Sequence, residues 1–382
     1  MMKIGVITHW GDFENYGQVF QGYMFQQYLK GRGHTPFIIR YYPGSLFSDI
    51  ITLRRVLIRM LHIKDFIRSA WCVLCRTRAK AAARKMKIAP LRDFEGFRNR
   101  EMSFTVNTYR SYAELVKSNE VDADMYSVGS DVVWRTVPFN DDGRVMFLDF
   151  GRRLAKRISY SASFGANDVS EEYKRFSSPL LAKLDAVSVR ELSGVAVCSS
   201  MGRNDAVCVM DPVFLMPRSF YIDKFKVSDV RKGFFGYFLP MGAELPLEEI
   251  ERVAKKNDDQ LSIACAGDYK RIPGRMQVNP TIPNWIRSIG EAKLFFTNSF
   301  HGTSIALIMH TPFVVFLKHG GADMDDRLIS ILKRAGLSNR IYIPSANNLQ
   351  DVIESEIDWD TVDRLLSGEI EKSKEFLARV GI

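Results

Sequence analysis

KLFFTNSFHGTSIALIMHTPFVVF, from Lys293 to Phe316, is the stretch on which the reading of the fold turns. Residues 294–297 form a short apolar run, 298–303 a polar turn, 304–309 an apolar helix and 313–316 a second apolar run. Brief apolar runs bounded by turn residues are how the strands of a parallel sheet covered on both faces read. Where such a strand hands over to a helix, backbone N–H groups and the positive end of the helix dipole converge outside the sheet and form an anion site. The turn carries Ser299, His301, Gly302, Thr303 and Ser304, that is, hydroxyl donors, a glycine that lets a ligand come close, and one imidazole. His301 can be a general acid or base, or it can cap the helix; the local sequence leaves both open.

The same grammar opens the chain. Residues 3–8 (KIGVIT) read as a strand, 9–17 as a loop, 18–30 as a helix stopped by Gly31 and Gly33, and 37–41 as a second strand. This is a βαβ unit, whose first loop lies at the carboxyl end of its strand, where open α/β sheets bind ligands. The glycine spacing does not match GxGxxG, so a dinucleotide is not indicated. Further on, 125–128 is a strand ending in Gly129-Ser130-Asp131, and strands are expected at 147–150 and 157–163. Asp131 just past a strand end can be a general base or a helix cap. A helix at 171–184 and a strand at 186–189 lead to Arg190, which is placed to pair with a carboxylate or phosphate, or with Glu191 or another nearby acid. A strand at 207–210 precedes Asp211-Pro212, residues 217–232 read as a polar connection, and a second α/β series begins at 234.

At 382 residues the chain is too long for one ordinary core. The boundaries expected are a first Rossmann-like domain at 1–216, a linker at 217–232, a second Rossmann-like domain at 233–357, and a terminal helix at 358–382 that can pack back on the first domain. The fold class is therefore α/β, with a cleft between two sheets. There is no signal-peptide pattern at the start and no run of about twenty apolar residues, and the five cysteines are scattered, so a cytoplasmic location is expected. Cys72 and Cys75 form a lone CxxC without a second ligand pair, and read as thiols on a half-buried helix.

The net charge of +9 points to an anionic partner. Eleven Lys and Arg stand between Arg54 and Lys87 against Asp65 alone, so this one segment holds more than the whole excess. Apolar residues including Trp71 and Phe66 recur among them at helical spacing, within a basic insertion at about 51–90. Such a helix lies on an anionic membrane surface or packs its apolar stripe on its own domain. Nucleic acid ranks last, because no recognised motif accompanies the charge.

ITHWGDFENYGQVFQGYMFQQYL, VGSDVVW, RISYSASFGA, SVRE, VMDPVFL, and TNSFHGTSIAL with TPFVVF occur in this order over roughly residues 3–340. As an ordered set they resemble the polysaccharide pyruvyl transferase family. The resemblance implies a GT-B-like architecture, two Rossmann-like domains facing across a cleft. It also implies transfer of a pyruvyl group from phosphoenolpyruvate to two hydroxyls of a sugar in a bacterial surface polysaccharide, often while lipid-linked, with release of phosphate. It places His301 and Arg190 in the donor site. Many relatives have arginine where this chain has Ser299, so the donor's charge must be met elsewhere; Arg190, Lys318 and Arg327 are the candidates, beside Ser299, Gly302 and Thr303 of the turn.

The reading that follows makes His301 the acid and Asp131 the base, with Asn15, Tyr16, Gln18 and Ser163 on the acceptor side. No cofactor or metal is expected, since Asp122-Ala123-Asp124 precedes a strand instead of ending one. A nucleotide-sugar glycosyltransferase and a non-catalytic glycan-binding assembly protein are the alternatives. The partners expected are the sugar acceptor and, through the basic segment, the inner face of the cell membrane.

Overall fold

The computed structural model describes residues 1–11, 15–43, 92–239, 247–266, 276–317, 322–343 and 346–382. The basic segment at 51–90, Cys72, Cys75 and Lys318 lie outside them. The first sheet holds β1 (Lys3–Ile7), β2 (Thr35–Tyr41), β3 (Phe104–Tyr109), β4 (Met125–Val128) and β5 (Lys156–Ser159) in the order β3-β2-β1-β4-β5. All its pairings are parallel. Single bridges from Ile158 to Ala186 and from Ala162 to Val189 continue it to β6 (Ser188–Val189), which pairs with β7 (Val207–Cys208).

The second sheet holds β8 (Phe234–Phe238), β9 (Leu261–Cys265), β10 (Leu294–Thr297), β11 (Phe313–Phe316) and β12 (Ile341–Tyr342) in the order β12-β11-β10-β8-β9, again all parallel. Strands β4, β8, β10 and β11 are buried at every residue. That is why they read as continuous apolar runs and not as an alternation.

Helix α1 (Tyr16–Gly31) is buried on nearly every face. One side covers its own sheet, and the other meets the second half of the molecule. Tyr16 stacks on Trp285 with ring centroids 5.1 Å apart, and Phe20 packs against Tyr221 and Phe225. A helix apolar all round is a core helix. Of the further helices, those that bear on the site are α2 (Leu192–Ser200), α3 (Arg218–Phe225), α4 (Ile282–Gly290), α5 (Phe300–Met309), α6 (Ala322–Arg334) and α7 (Trp359–Arg379).

Three local expectations are corrected. Residues 217–232 are not simply a polar connection: they contain α3, whose Tyr221 and Phe225 are buried in the core shared by both sheets. Phe147–Phe150 is no strand: a 3-10 turn at Val145–Phe147 ends in Leu148 with φ 58°, and Phe147 stacks on Trp134. Helix α5 starts at Phe300, so His301, Gly302 and Thr303 form its first turn instead of preceding it. Helix α7 touches both halves: Ser373 Oγ accepts from the Met210 N–H at 2.8 Å, while Glu369 pairs with Arg334 at 2.6 Å. Among the described residues no helix is long and apolar enough to cross a membrane.

Trp285, fully buried between Tyr16, Phe20 and Tyr237, is the largest side chain at this joint. Trp285→Ala is expected to cost about 3–5 kcal/mol of stability, measured by urea unfolding. A cost under about 1 kcal/mol would show that the two halves do not share this core.

Candidate active site

Each sheet has one place where the strand order reverses direction, and a crevice opens at the carboxyl ends there. In the first sheet it lies between β1 and β4, and Thr8, Ser130 and Asp131 follow those strand ends. In the second it lies between β8 and β10, and Leu239, Asn298 and Ser299 follow there. The Asn298 amide ties these last two ends together, accepting from Leu239 N–H at 2.7 Å and donating to Leu239 O at 3.2 Å.

The two crevices meet at Asp211. Its carboxylate is fully buried and accepts the Ser130 hydroxyl at 2.6 Å and the Val213 N–H at 3.1 Å. Arg190 Nη1 lies 3.3 Å from Oδ2, and His301 Nε2, arriving from the second half, lies 3.3 Å from the same oxygen. The imidazole is at ion-pair distance without hydrogen-bond alignment. Burial alone would raise the Asp211 pKa, but His301, Arg190 and the Ser130 hydroxyl outweigh it and hold the carboxyl well below its ordinary range. Behind Ser130 a buried chain continues: Thr8 Oγ1 donates to Ser130 O at 3.0 Å and receives Gln21 Nε2 at 2.8 Å.

Around this carboxylate stand buried polar atoms that make no hydrogen bond. Arg190 Nε and Nη2, Glu191 Oε2, His301 Nε2 and Arg327 Nε are buried and lack hydrogen-bond partners. Arg190 Nε is 3.6 Å from Glu191, Nη2 is 3.9 Å from Asp131, and the guanidinium lies over the Phe300 ring at 4.5 Å. Burial and the like charge of Arg190 push Arg327 down to about 10. A buried N–H left unpaired costs about 1–3 kcal/mol, so the cluster is a candidate place for a ligand.

Asp131 is buried beside this cluster with φ 79°, a conformation a non-glycine residue adopts only where its surroundings hold it. Its backbone is held by a parallel bridge to Ala162 and by the Ser163 N–H at 3.0 Å. Burial would raise its pKa, but His9, Arg190, His301 and Arg327 bring it below the ordinary value.

His301, Arg190, Arg327 and Asp131 are thus brought together. Lys318 lies outside the described residues, and the others singled out in the sequence have partners within the fold. Ser299 caps α5 through Gly302 N–H, Thr303 returns its hydroxyl to Ser299 O, and a side chain at Gly302 would meet Thr297 at 2.9 Å. Asn15 caps α1 and accepts the Tyr237 hydroxyl at 3.4 Å. Tyr16, expected on the acceptor side, is fully buried and donates to Pro280 O at 2.6 Å, so no face is left for a sugar. Ser163, expected with it, is buried and donates to Glu191 at 2.6 Å. Gln18 is buried in the first turn of α1. Asp211, Ser130 and Gly17 were not foreseen. An Asp-Pro turn after a strand, inside the VMDPVFL stretch, was the signal for the first, and Gly17 becomes meaningful only where a Cβ would fall within 2.6 Å of the His301 side chain.

The sequence model of one family, polysaccharide pyruvyl transferase, matches residues 15–319. No curated protein matches the sequence. Among solved structures, the chain is similar to the UDP-N-acetylglucosamine 2-epimerase of Rickettsia bellii, with a TM-score of 0.51 and 12% identity over 100% of this chain and 96% of that one. It is also similar to UGT89C1 of Arabidopsis thaliana complexed with UDP, with a TM-score of 0.50 and 10% identity over 100% of this chain and 98% of that one. At such identities the likeness concerns the fold, two parallel-sheet domains in the GT-B arrangement.

Asp131 and Asp211 bind protons more weakly folded than unfolded, where a carboxyl titrates near 3.9. The stability they contribute is therefore complete above about pH 5 and lost as pH falls through 4 and below. Urea midpoints are expected to drop more steeply between pH 5 and pH 3 in the wild type than in Asp211→Asn. Parallel slopes would show that this carboxylate is not stabilised by its neighbours.

Proposed function

The chain belongs to the polysaccharide pyruvyl transferase family, and from that premise we propose that it moves the pyruvyl group of phosphoenolpyruvate onto two hydroxyls of a sugar. The acceptor in this reading is a unit of a bacterial surface polysaccharide or its lipid-linked precursor. The observation that carries the proposal is the cluster of buried, unpartnered guanidinium N–H groups on Arg190 and Arg327 beside His301. The donor bears about three negative charges on a phosphate and a carboxylate, and planar guanidinium groups match both. The first turns of α1 and α5 add their positive ends.

The chemistry needs a proton on the methylene carbon of the enol. Its double-bond electrons form the new C–H bond, and an acceptor oxygen attacks the carbon left electron-poor while losing its own proton. The second hydroxyl then displaces phosphate, its own proton passing to the departing phosphate, and closes a cyclic ketal. His301 supplies the first proton, or the proton on departing phosphate, and Asp131 takes the proton from the acceptor. Asn15 and Gln18 at the start of α1 are the acceptor-side candidates that remain. No metal takes part in this scheme.

Phosphate release from phosphoenolpyruvate with candidate galactosides and mannosides tests the reading. With donor saturating, His301→Ala is expected to lower kcat about 10²–10⁴-fold. Arg190→Lys is expected chiefly to raise the donor KM, because an ammonium cannot pair bidentately. Near-normal turnover in His301→Ala would remove its role, and a response to UDP-sugars with none to phosphoenolpyruvate would replace the reading with a glycosyltransferase.

The acceptor side includes the membrane. A segment with eleven basic residues against one acid, at about 51–90, is attracted to an anionic leaflet by about 1 kcal/mol per basic residue that reaches the surface. Flotation with anionic vesicles is expected to carry the protein, and flotation with neutral vesicles is not. Equal behaviour with both would remove this part and leave the chemistry intact.

A further inference from the structure

His301 belongs to the second half of the molecule, yet the groups facing its two ring nitrogens belong to the first. Nε2 is sealed from solvent 3.3 Å from Asp211 Oδ2. On the Nδ1 side the ring lies against Gly17 in the first turn of α1, where any Cβ would collide with Nδ1 and come within 2.6 Å of His301 Cβ and Cγ. Phe300 packs edge-on to the ring at 5.3 Å. We propose that Asp211 is a positioning residue that holds the neutral His301 ring with its proton on Nε2, so that Nδ1 is the atom exchanging a proton with substrate. This rests on the pyruvyl-transfer reading for the identity of the substrate, though not for the state of the ring.

The argument is electrostatic. A bare imidazole nitrogen turning its lone pair to a carboxylate oxygen at 3.3 Å is repelled, whereas an N–H there is attracted. The carboxylate cannot swing away, because Val213 N–H holds Oδ1 and the Ser130 hydroxyl and Arg190 hold Oδ2. Nδ1 meanwhile lies against the first turn of α1, whose positive end favours an anion. Any side chain at position 17 would displace the ring. In the proposed step the imidazolium gives the Nδ1 proton to the methylene carbon, the enol electrons form the C–H bond, and the ring is left neutral with its proton on Nε2. The acceptor hydroxyl supplies the oxygen that bonds to the central carbon and yields its own proton to Asp131.

Asp211→Asn makes the assignment testable. With Val213 N–H keeping the amide oxygen at the Oδ1 position, the new nitrogen takes the Oδ2 position, gives up the Arg190 Nη1 hydrogen bond and donates toward His301 Nε2. The Ser130 hydroxyl can rotate to accept. The neutral ring then carries its proton on Nδ1, and giving up an Nδ1 proton would leave an Nε2–H against an amide N–H instead of a carboxylate.

The measurement is nitrogen-15 NMR of the His301 ring in the full-length protein, at a pH where the ring is neutral. The expected results are an Nε2–H ring in the wild type and an Nδ1–H ring in Asp211→Asn, with kcat reduced about 100-fold or more and donor KM changed far less. A wild-type ring protonated on Nδ1 would overturn the proposal. Should Asp211→Asn not fold, the wild-type ring alone decides. Absence of phosphate release from phosphoenolpyruvate would sink the pyruvyl-transfer reading instead, and the ring measurement tells the two failures apart.

Discussion

A single buried carboxylate holds this molecule's working parts in register. Asp211 follows the last strand of the first half, and it receives a hydroxyl from one strand end, a guanidinium from another and an imidazole from the opposite half. A carboxylate taken out of water survives as an anion only where such partners converge. Each of them is thereby committed to one place, and two halves that could otherwise rock independently share a polar anchor beside an aromatic one. The aromatic anchor is the Tyr16–Trp285 stack.

The topology explains why the anchor falls where ligands should bind. In the first sheet the order β3-β2-β1-β4-β5 parts the crossovers between β1 and β4; in the second, β12-β11-β10-β8-β9 parts them between β8 and β10. Helices cannot cover a crevice from which they diverge. Both openings point at the seam between the halves, so residues from loops far apart in sequence become neighbours. The acids Asp131, Glu191 and Asp211 nearly balance the arginines Arg190 and Arg327 with His301. What the site has in excess is therefore not charge but unpartnered donors, together with the positive ends of α1 and α5. That favours an anion of definite shape over any anion at all.

The cost of this arrangement is visible in the backbone. Asp131 is held at φ 79° by its bridge to Ala162, and Gly17 forgoes a side chain inside a helix that otherwise buries large ones. Local rules broken in two places within one crevice are the pattern expected of a working site.

Much of this was legible in the chain. Continuous apolar runs bounded by turns announced buried parallel strands, and β4 and β10 fall on the residues so read. His301, Arg190 and Asp131 stood out because a polar residue just past a strand end sits where sheets open. Other residues looked alike in sequence and proved different. Ser299 and Thr303 satisfy the backbone of their own helix, while Tyr16 and Ser163 are spent on packing and on Glu191. A hydroxyl's partner is a matter of three dimensions, and no spacing rule separates a cap from a contact. The apolar partners of α3 were equally hidden, since its Tyr221 and Phe225 face a helix some two hundred residues earlier. Two parallel-sheet halves, and the strand ends from which chemistry can be done, are written in the chain because period and turn residues are local properties. That Asp211 and Gly17 flank the imidazole from the other half depends on how the two sheets dock, which no local pattern encodes.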